Sequence, residues 1–366
     1  MSEYIFVDRS AEAEALARDW AGAERLAVDT EFVRERTFSA RLCLLQLSDG
    51  ERIACVDVLA LDGPGPFAEL LCNPALKKVF HSARQDLETL NEHLGRVPGP
   101  VWDTQVAAAL LGYPDQVGYT RLVGDELGMP LPKDHARTDW SRRPLSNEQL
   151  RYAAADVKWL LPLADRLGVE LERLGRLAWA AEESAALCDA ALYAFDAENA
   201  WRRVKGANQL TGAALARLAA LARWREQEAR RCDRPRRWIL ADEALLSLAE
   251  AEPGGAAGNT ALDALPPAVQ RKHAATLVGL LEGSAASAAP TNPLPEPLDP
   301  TQDKLVKQLM ARLRQLAEQH RVSAPLLATR KDIEALVRGQ RDLPLLAGWR
   351  RELAGEELLA RVGEAG

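Results

Sequence analysis

In Leu26-Ala27-Val28-Asp29-Thr30-Glu31-Phe32, two acids spaced two residues apart interrupt a short apolar run. The run reads as a β-strand, and the spacing of two sends both acids to one face while Leu26, Val28, Thr30 and Phe32 take the other. Side by side, the two carboxylates repel each other, and ionising both where water is scarce is costly unless cations neutralise them. An isolated Asp-x-Glu is more often a solvated strand face, so the pair needs support from elsewhere in the chain.

Outward from this strand the pattern is that of an α/β domain. A helix is expected over Ala11–Ala21, and strands over Leu42–Leu47 and Ile53–Val58, joined by Ser48-Asp49-Gly50-Glu51. Asp-Gly suits a tight hairpin turn, so the first three strands should be antiparallel. Beyond the Gly/Pro break at Gly63–Pro66 the order becomes helix, strand (Lys78–His81), helix (Ala83–Leu94), strand (Pro100–Trp102) and helix (Asp103–Leu111). A loop from Met129 to Pro144 leads into Ser146-Asn147-Glu148-Gln149, a capping box, and one long helix is predicted from there to about Leu174.

That helix carries Tyr152-Ala153-Ala154-Ala155-Asp156, which places a phenol and a carboxylate one turn apart on one face. Alone it is an ordinary amphipathic helix. Asp86, in His81-Ser82-Ala83-Arg84-Gln85-Asp86-Leu87, falls in the first turns of a helix, where an acid complements the helix dipole. Asp103-Thr104 fits a helix N-cap better than a further ligand, His81 a packed histidine better than a general base, and Cys43 and Cys55 look like core residues.

Taken in order, an Asp-x-Glu on the first strand, an Asp early on a middle helix and Tyr-x-x-x-Asp on the last helix resemble the DEDD exonucleases. Within these they resemble the tyrosine-bearing subgroup and, inside it, the ribonuclease D family. Val28-Asp29-Thr30-Glu31-Phe32-Val33-Arg34, Leu44-Leu45-Gln46-Leu47, Arg137-Thr138-Asp139-Trp140 and Arg143-Pro144-Leu145 fit that family, as does Tyr152-Ala153-Ala154-Ala155-Asp156-Val157. The resemblance implies an RNase H-like exonuclease domain with a mixed sheet. Asp29, Glu31, Asp86 and Asp156 would hold two divalent cations, Mg²⁺ or Mn²⁺. One ion between Asp29, Glu31 and Asp156 serves the attacking water, and a second between Asp29 and Asp86, held directly or through water, serves the departing 3′ oxygen. Tyr152, protonated near neutral pH, orients the water rather than acting as a base.

The implied activity is 3′-to-5′ trimming of precursor tRNA and other small structured RNAs that offer a single-stranded 3′ end, with release of 5′-mononucleotides. A DNA 3′ exonuclease is the neighbouring alternative, because no residue is tied to reading a 2′-OH. A non-catalytic RNA-binding scaffold is the alternative of another class.

From Ala178 the strand signal stops and the pattern is helical. Residues 1–178 are therefore expected to be the exonuclease domain. Residues 197–283 resemble an HRDC domain through Trp201-Arg202-Arg203-Val204-Lys205, Leu218 to Arg225-Glu226 and Arg236-Arg237-Trp238-Ile239-Leu240. Residues 284–300 form a Pro/Ala-rich linker, and 301–366 resemble a second HRDC-type copy through Leu327-Ala328-Thr329-Arg330-Lys331-Asp332-Ile333 and Gly348-Trp349-Arg350. Two all-α domains after the catalytic one suggest a ring or clamp, and removal of the region after Ala289 is expected to weaken RNA binding while sparing the chemistry.

For RNA contact, Lys133, Arg137 and Arg143 lie on the basic loop before the Tyr152 helix and either hold the backbone or stay solvated. Arg236 and Arg237, with Arg230, Arg231 and Arg234, either make phosphate contacts beside a stacking Trp238 or form a solvated turn with Trp238 in the core. A net charge of -7 excludes a protein that coats nucleic acid by bulk attraction, yet suits a carboxylate active site. The five cysteines are scattered and never form C-x-x-C, and the five histidines are dispersed, so a zinc site has no support. No apolar stretch is long enough to span a bilayer, and the start lacks a leader pattern, so a cytoplasmic monomer acting on RNA is expected.

Overall fold

The run around Asp29 forms one of the two central strands of a six-stranded sheet. In the computed structural model, which describes residues 4–63, 65–131, 138–252, 254–284 and 297–365, the strands are β1 (Ile5–Val7), β2 (Arg25–Val33), β3 (Arg41–Ser48), β4 (Ile53–Asp57), β5 (Lys77–Phe80) and β6 (Val101–Asp103). Their order across the sheet is β1-β4-β3-β2-β5-β6. As expected, β2, β3 and β4 pair antiparallel, while β1, β5 and β6 join in parallel, which makes the sheet mixed. The turn between β3 and β4 closes through Asp49, whose carboxylate accepts from the amides of Glu51 and Arg52 at 2.9 and 2.7 Å, with Gly50 at φ 97°. Strand β1 has no counterpart in the sequence reading, being three residues long with Ile5 and Phe6 exposed at the sheet edge.

Strand alternation sorts the two faces. Leu26, Val28, Leu45, Leu47 and Val56 are buried on one side, against α1 (Ser10–Trp20), α2 (Gly65–Leu71) and α3 (Arg84–Leu94). Ala27, Leu44 and Cys55 are buried on the other. There they meet α4 (Thr104–Ala109), α5 (Tyr119–Leu127), α6 (Asn147–Lys158) and α7 (Leu160–Arg173), with α8 (Leu177–Ala186) following. The single helix expected from Ser146 to about Leu174 is in fact α6 and α7, broken at Trp159. The Trp159 amide donates to the Tyr119 hydroxyl at 3.2 Å rather than continuing the helix. Pro162 explains the position of the break, since a ring without an N–H is tolerated only in a helix's first turn.

Two compact units divide the chain: residues 1–33, 41–193 and 298–366 form one, and residues 34–40 and 194–297 the other. The second unit is helical, with α9 (Gly212–Arg231), α10 (Arg236–Ile239), α11 (Asp242–Glu250), α12 (Ala256–Asp263) and α13 (Pro267–Ser284). Its core holds Trp201, Leu218, Leu221, Leu245, Leu248 and Leu277. The segment 34–40 joins it through Phe38, which packs on Ala229 and Ile239 while the amides of Phe38 and Ser39 donate to Asp233 at 3.0 and 3.1 Å.

The last residues return to the first unit as α14 (Pro300–His320), α15 (Ala324–Leu327), α16 (Arg330–Val337), α17 (Gly348–Arg350), a π-helical turn (Arg351–Gly355) and α18 (Glu356–Ala365). Val306, Leu309, Leu313 and Leu316 share one core with Leu160, Leu163 and Leu167 of α7. Among the described residues no helix is long and apolar enough to cross a membrane.

Candidate active site

Asp29 and Glu31 leave β2 just before a bulge between Glu31 and Phe32. Helix α6 lies over the same face because Ala153 and Ala154 are small and buried, which lets its backbone approach the sheet. The capping box at Ser146 and Gln149 fixes its start. Asp156 thus meets the strand acids: carboxyl oxygens of Asp29, Glu31 and Asp156 lie within 4.8 Å of one another.

Asp86 arrives from the first turn of α3. The preceding turn is held by Asp103, whose carboxylate accepts from the amides of Ser82 and Ala83 at 3.0 and 2.7 Å and also caps α4 through Gln105 at 2.8 Å. Asp103 is therefore the N-cap expected of it. Ser82 sits at φ 64°, a left-handed conformation that persists because those bonds pin it. Thr30 completes the placement: its hydroxyl donates to Asp86 across the end of the sheet.

All four acids and Tyr152 line one cleft of about 300 Å³, with no Lys or Arg among its described lining residues. Burial decides the electrostatics. Desolvation, opposed by the Thr30 amide, raises Asp29 to about 7. Desolvation followed by repulsion from Asp29, Asp156 and Asp86 raises Glu31 to about 10. Asp156 rises to about 8 by desolvation and the Asp29 charge, with the Tyr152 hydroxyl bond pulling the other way. Asp86 is pushed well above the carboxylate range by desolvation and Asp29. Desolvation and the surrounding acids push Tyr152 up as well, so its phenol stays protonated and donates to Asp156. Trp140, buried at 6.3 Å between ring centroids, packs beside it.

Two further residues line the cleft: His81, which the sequence reads as a packed histidine, and Tyr119, which carried no usable sequence signal. His81 has both ring nitrogens engaged, with Thr104 Oγ1 at 3.0 Å and the Val117 carbonyl at 2.9 Å, and desolvation lowers its pKa, which favours the neutral ring. Tyr119 comes from α5, and its partner Trp159 is forty residues away. A tyrosine on an amphipathic helix does not announce that bond.

The basic residues fare unevenly. Lys133 and Arg137 lie outside the described residues. Arg143 has its guanidinium spent inside the protein, on both Asp57 carboxylate oxygens at 2.5 Å and on the Trp140 and Cys43 carbonyls at 2.7 and 3.0 Å. Arg236 likewise closes on buried Glu226 with two bonds of 2.6 Å. Both act as internal clasps, which corrects the expectation of a phosphate contact. Arg237 remains 72% exposed on its side chain, and Trp238 is 55% exposed rather than in the core.

Residues 4–172 match the 3′-5′ exonuclease family, and residues 214–281 match the HRDC domain family. Fold and site together define a 3′-5′ exonuclease with an HRDC domain attached. The chain is 40% identical to ribonuclease D of Acidiphilium cryptum over 372 residues, covering 99% of this chain and 93% of that protein. It is 37% identical to ribonuclease D of Escherichia coli, with 91% of each covered. The crystal structure of Escherichia coli RNase D, an exoribonuclease involved in structured RNA processing, superposes with a TM-score of 0.86 at 34% identity, covering 100% of this chain and 99% of that one. The catalytic core of RRP6 from Trypanosoma brucei gives 0.60 at 25% identity over 78% and 80%. The chain belongs to the ribonuclease D family and is a 3′-5′ exoribonuclease.

Proposed function

We propose that Asp29, Glu31, Asp86 and Asp156 hold two divalent cations, Mg²⁺ or Mn²⁺, for hydrolysis of the terminal phosphodiester of RNA. The observation that carries this is the acidic cleft itself, with carboxyl oxygens of three acids within 4.8 Å and no Lys or Arg among its described lining residues. Hard oxygen donors so arranged suit hard cations, and acids raised this far ionise together only when such charge is supplied. Ions bound there supply a water of lowered pKa and neutralise charge on the phosphate. Asp29, Glu31 and Asp156 face the attacking side. Tyr152 donates to Asp156 and orients the water, because its protonated phenol cannot serve as the base. Asp86, fixed by Thr30, stands on the side of the departing 3′ oxygen.

The products are 5′-mononucleotides, and the substrates are the single-stranded 3′ ends of precursor tRNA and other small structured RNAs. Support for that class comes from the Escherichia coli relative. Arg237 and Trp238, exposed in the HRDC unit, are candidates for RNA contact, as are Lys133 and Arg137. Helices 301–366 are assigned as a second, divergent HRDC copy.

End-labelled RNA with Mg²⁺ or Mn²⁺ should shorten one nucleotide at a time, and matched DNA should be cut more slowly. Asp156→Asn should cost far more than the roughly 10- to 100-fold typical of an outer-shell partner, with folding intact by circular dichroism. Retention of wild-type turnover in that variant would refute the assignment.

A further inference from the structure

Directly opposite Asp29 in the β2–β3 register is Gln46, and opposite Gln46 on β4 is Cys55. Opposed residues of an antiparallel pair share a face, with Cβ atoms about 4.5–5.5 Å apart. The Gln46 carboxamide therefore lies on the face that carries Asp29 and Glu31. Its neighbours in β3, Leu44, Leu45 and Leu47, are apolar, as a buried central strand demands. Gln46 is 0% exposed, and neither Nε2 nor Oε1 has a hydrogen-bond partner.

An orphaned buried amide destabilises the fold through the desolvation of each unsatisfied group. A methionine of the same length would fill the position without that cost. The chemistry next door supplies a reason for the amide. An ionised carboxylate is a pure acceptor, and a carboxylate that ligates a cation keeps lone pairs that outer donors occupy. Asp29 accepts from the Thr30 amide, and a carboxylate has acceptor capacity beyond that one bond.

We infer that Gln46 is a positioning residue for Asp29, its Nε2–H donating to the Asp29 carboxylate when that group ligates a cation. The inference rests on the two-cation reading of the cleft. Gln46 touches neither the RNA nor the reacting atoms. Its effect is to hold the Asp29 oxygens in the ligating orientation, so it acts on cation affinity.

Gln46→Met tests this in the full-length chain, with Mn²⁺ titrated by calorimetry and by thermal shift from a chelated starting state. Without cation, the variant should melt at or above the wild-type temperature, because the orphaned amide is gone. Its Mn²⁺ dissociation constant should rise roughly 10- to 100-fold, and saturating Mn²⁺ should restore turnover with KM for RNA unchanged. Gln46→Leu, matching the neighbouring β3 residues, serves if the methionine variant does not fold. Wild-type Mn²⁺ affinity in either folded variant overturns the positioning role. Asp156→Asn separates the two claims: if wild type binds Mn²⁺ and Asp156→Asn does not, the cation site stands whatever Gln46 does. If wild type shows no saturable binding, both claims fall.

Discussion

Two helical stretches follow the sheet in sequence, and they end in different places. Residues 194–297 build their own core around Trp201, Leu221, Leu248 and Leu277, whereas residues 298–366 complete the core of the exonuclease unit. Both have the apolar periodicity of amphipathic helices. Periodicity says which face of a helix is apolar, but not what covers it. What commits the C-terminal helices is a set of long-range partners. Arg176, buried after α7, donates to the Leu110 carbonyl at 2.7 Å and to the His320 and Arg321 carbonyls at 2.5 and 3.1 Å. Trp349 stacks on Trp179 at 5.0 Å, and the Ser323 amide donates to the Ala109 carbonyl at 2.7 Å.

Truncation tests this contrast most severely. The sequence predicts that loss of the region after Ala289 spares the chemistry, and the shared core predicts the opposite. Each fully buried aliphatic side chain contributes roughly 1.5–3 kcal/mol. Removing Val306, Leu309, Leu313, Leu316, Leu336 and Trp349 together thus approaches the entire net stability of a domain, about 5–15 kcal/mol. A chain ending at Pro297 should lose cooperative unfolding of the exonuclease unit and, with it, cleavage of short oligonucleotides. Leu248→Ala, in the other unit, should leave that cleavage in place. A truncated protein that melts cooperatively and still cuts would show the C-terminal helices to be an independent module.

A smaller effect comes from the ion pair joining α8 to α17. Glu183 and Arg350 side chains are only 14% and 15% exposed and are joined by two hydrogen bonds, one of 2.6 Å. Glu183→Ala leaves a buried guanidinium unpaired, which costs about 3–5 kcal/mol. Urea titration should show the loss in the exonuclease unit. Replacing both partners by leucine or methionine should recover most of it, since an apolar pair of similar volume carries no desolvation cost. A loss below 1 kcal/mol in the single variant would mean that apolar packing alone holds the C-terminal helices.

Legibility in the sequence followed the distance between partners. Parity on β2, the Asp49-Gly50 turn and the one-turn spacing of Tyr152 and Asp156 are local and could be read directly. That the acids share a cleft came from their order and the resemblance it supports, because spacing cannot bring Asp86 to Asp29. Arg143 looked free because Asp57 is 86 residues away, and Arg236 because basic clusters seldom announce a buried Glu226. The break at Trp159 had a local sign in Pro162, but its partner Tyr119 did not.

The subtlest expected effect is on pH, and it separates the two units again. Desolvation raises Asp29 to about 7 and Asp156 to about 8, both above the roughly 4 of an exposed aspartate. The folded exonuclease unit therefore binds more protons than the unfolded chain between those limits, and its stability falls as pH rises from about 4 through 8. In chelator, its transition should lie a few degrees higher at pH 6 than at pH 8. Added Mn²⁺ must displace those protons, so its stabilising effect should be larger at pH 8. The other unit offers the opposite case. Glu228, bonded to Arg231, is lowered to about 2, so its contribution is complete above the ordinary glutamate range and is lost only as pH falls towards 2. Between pH 6 and 8 the transition of residues 194–297 should not respond to Glu228. Differential scanning calorimetry at both pH values, with and without Mn²⁺, reads the two transitions together. If the exonuclease transition were flat with pH in chelator, the carboxylates would be better solvated than their burial in the cleft requires, and the need for cations there would lose its physical basis.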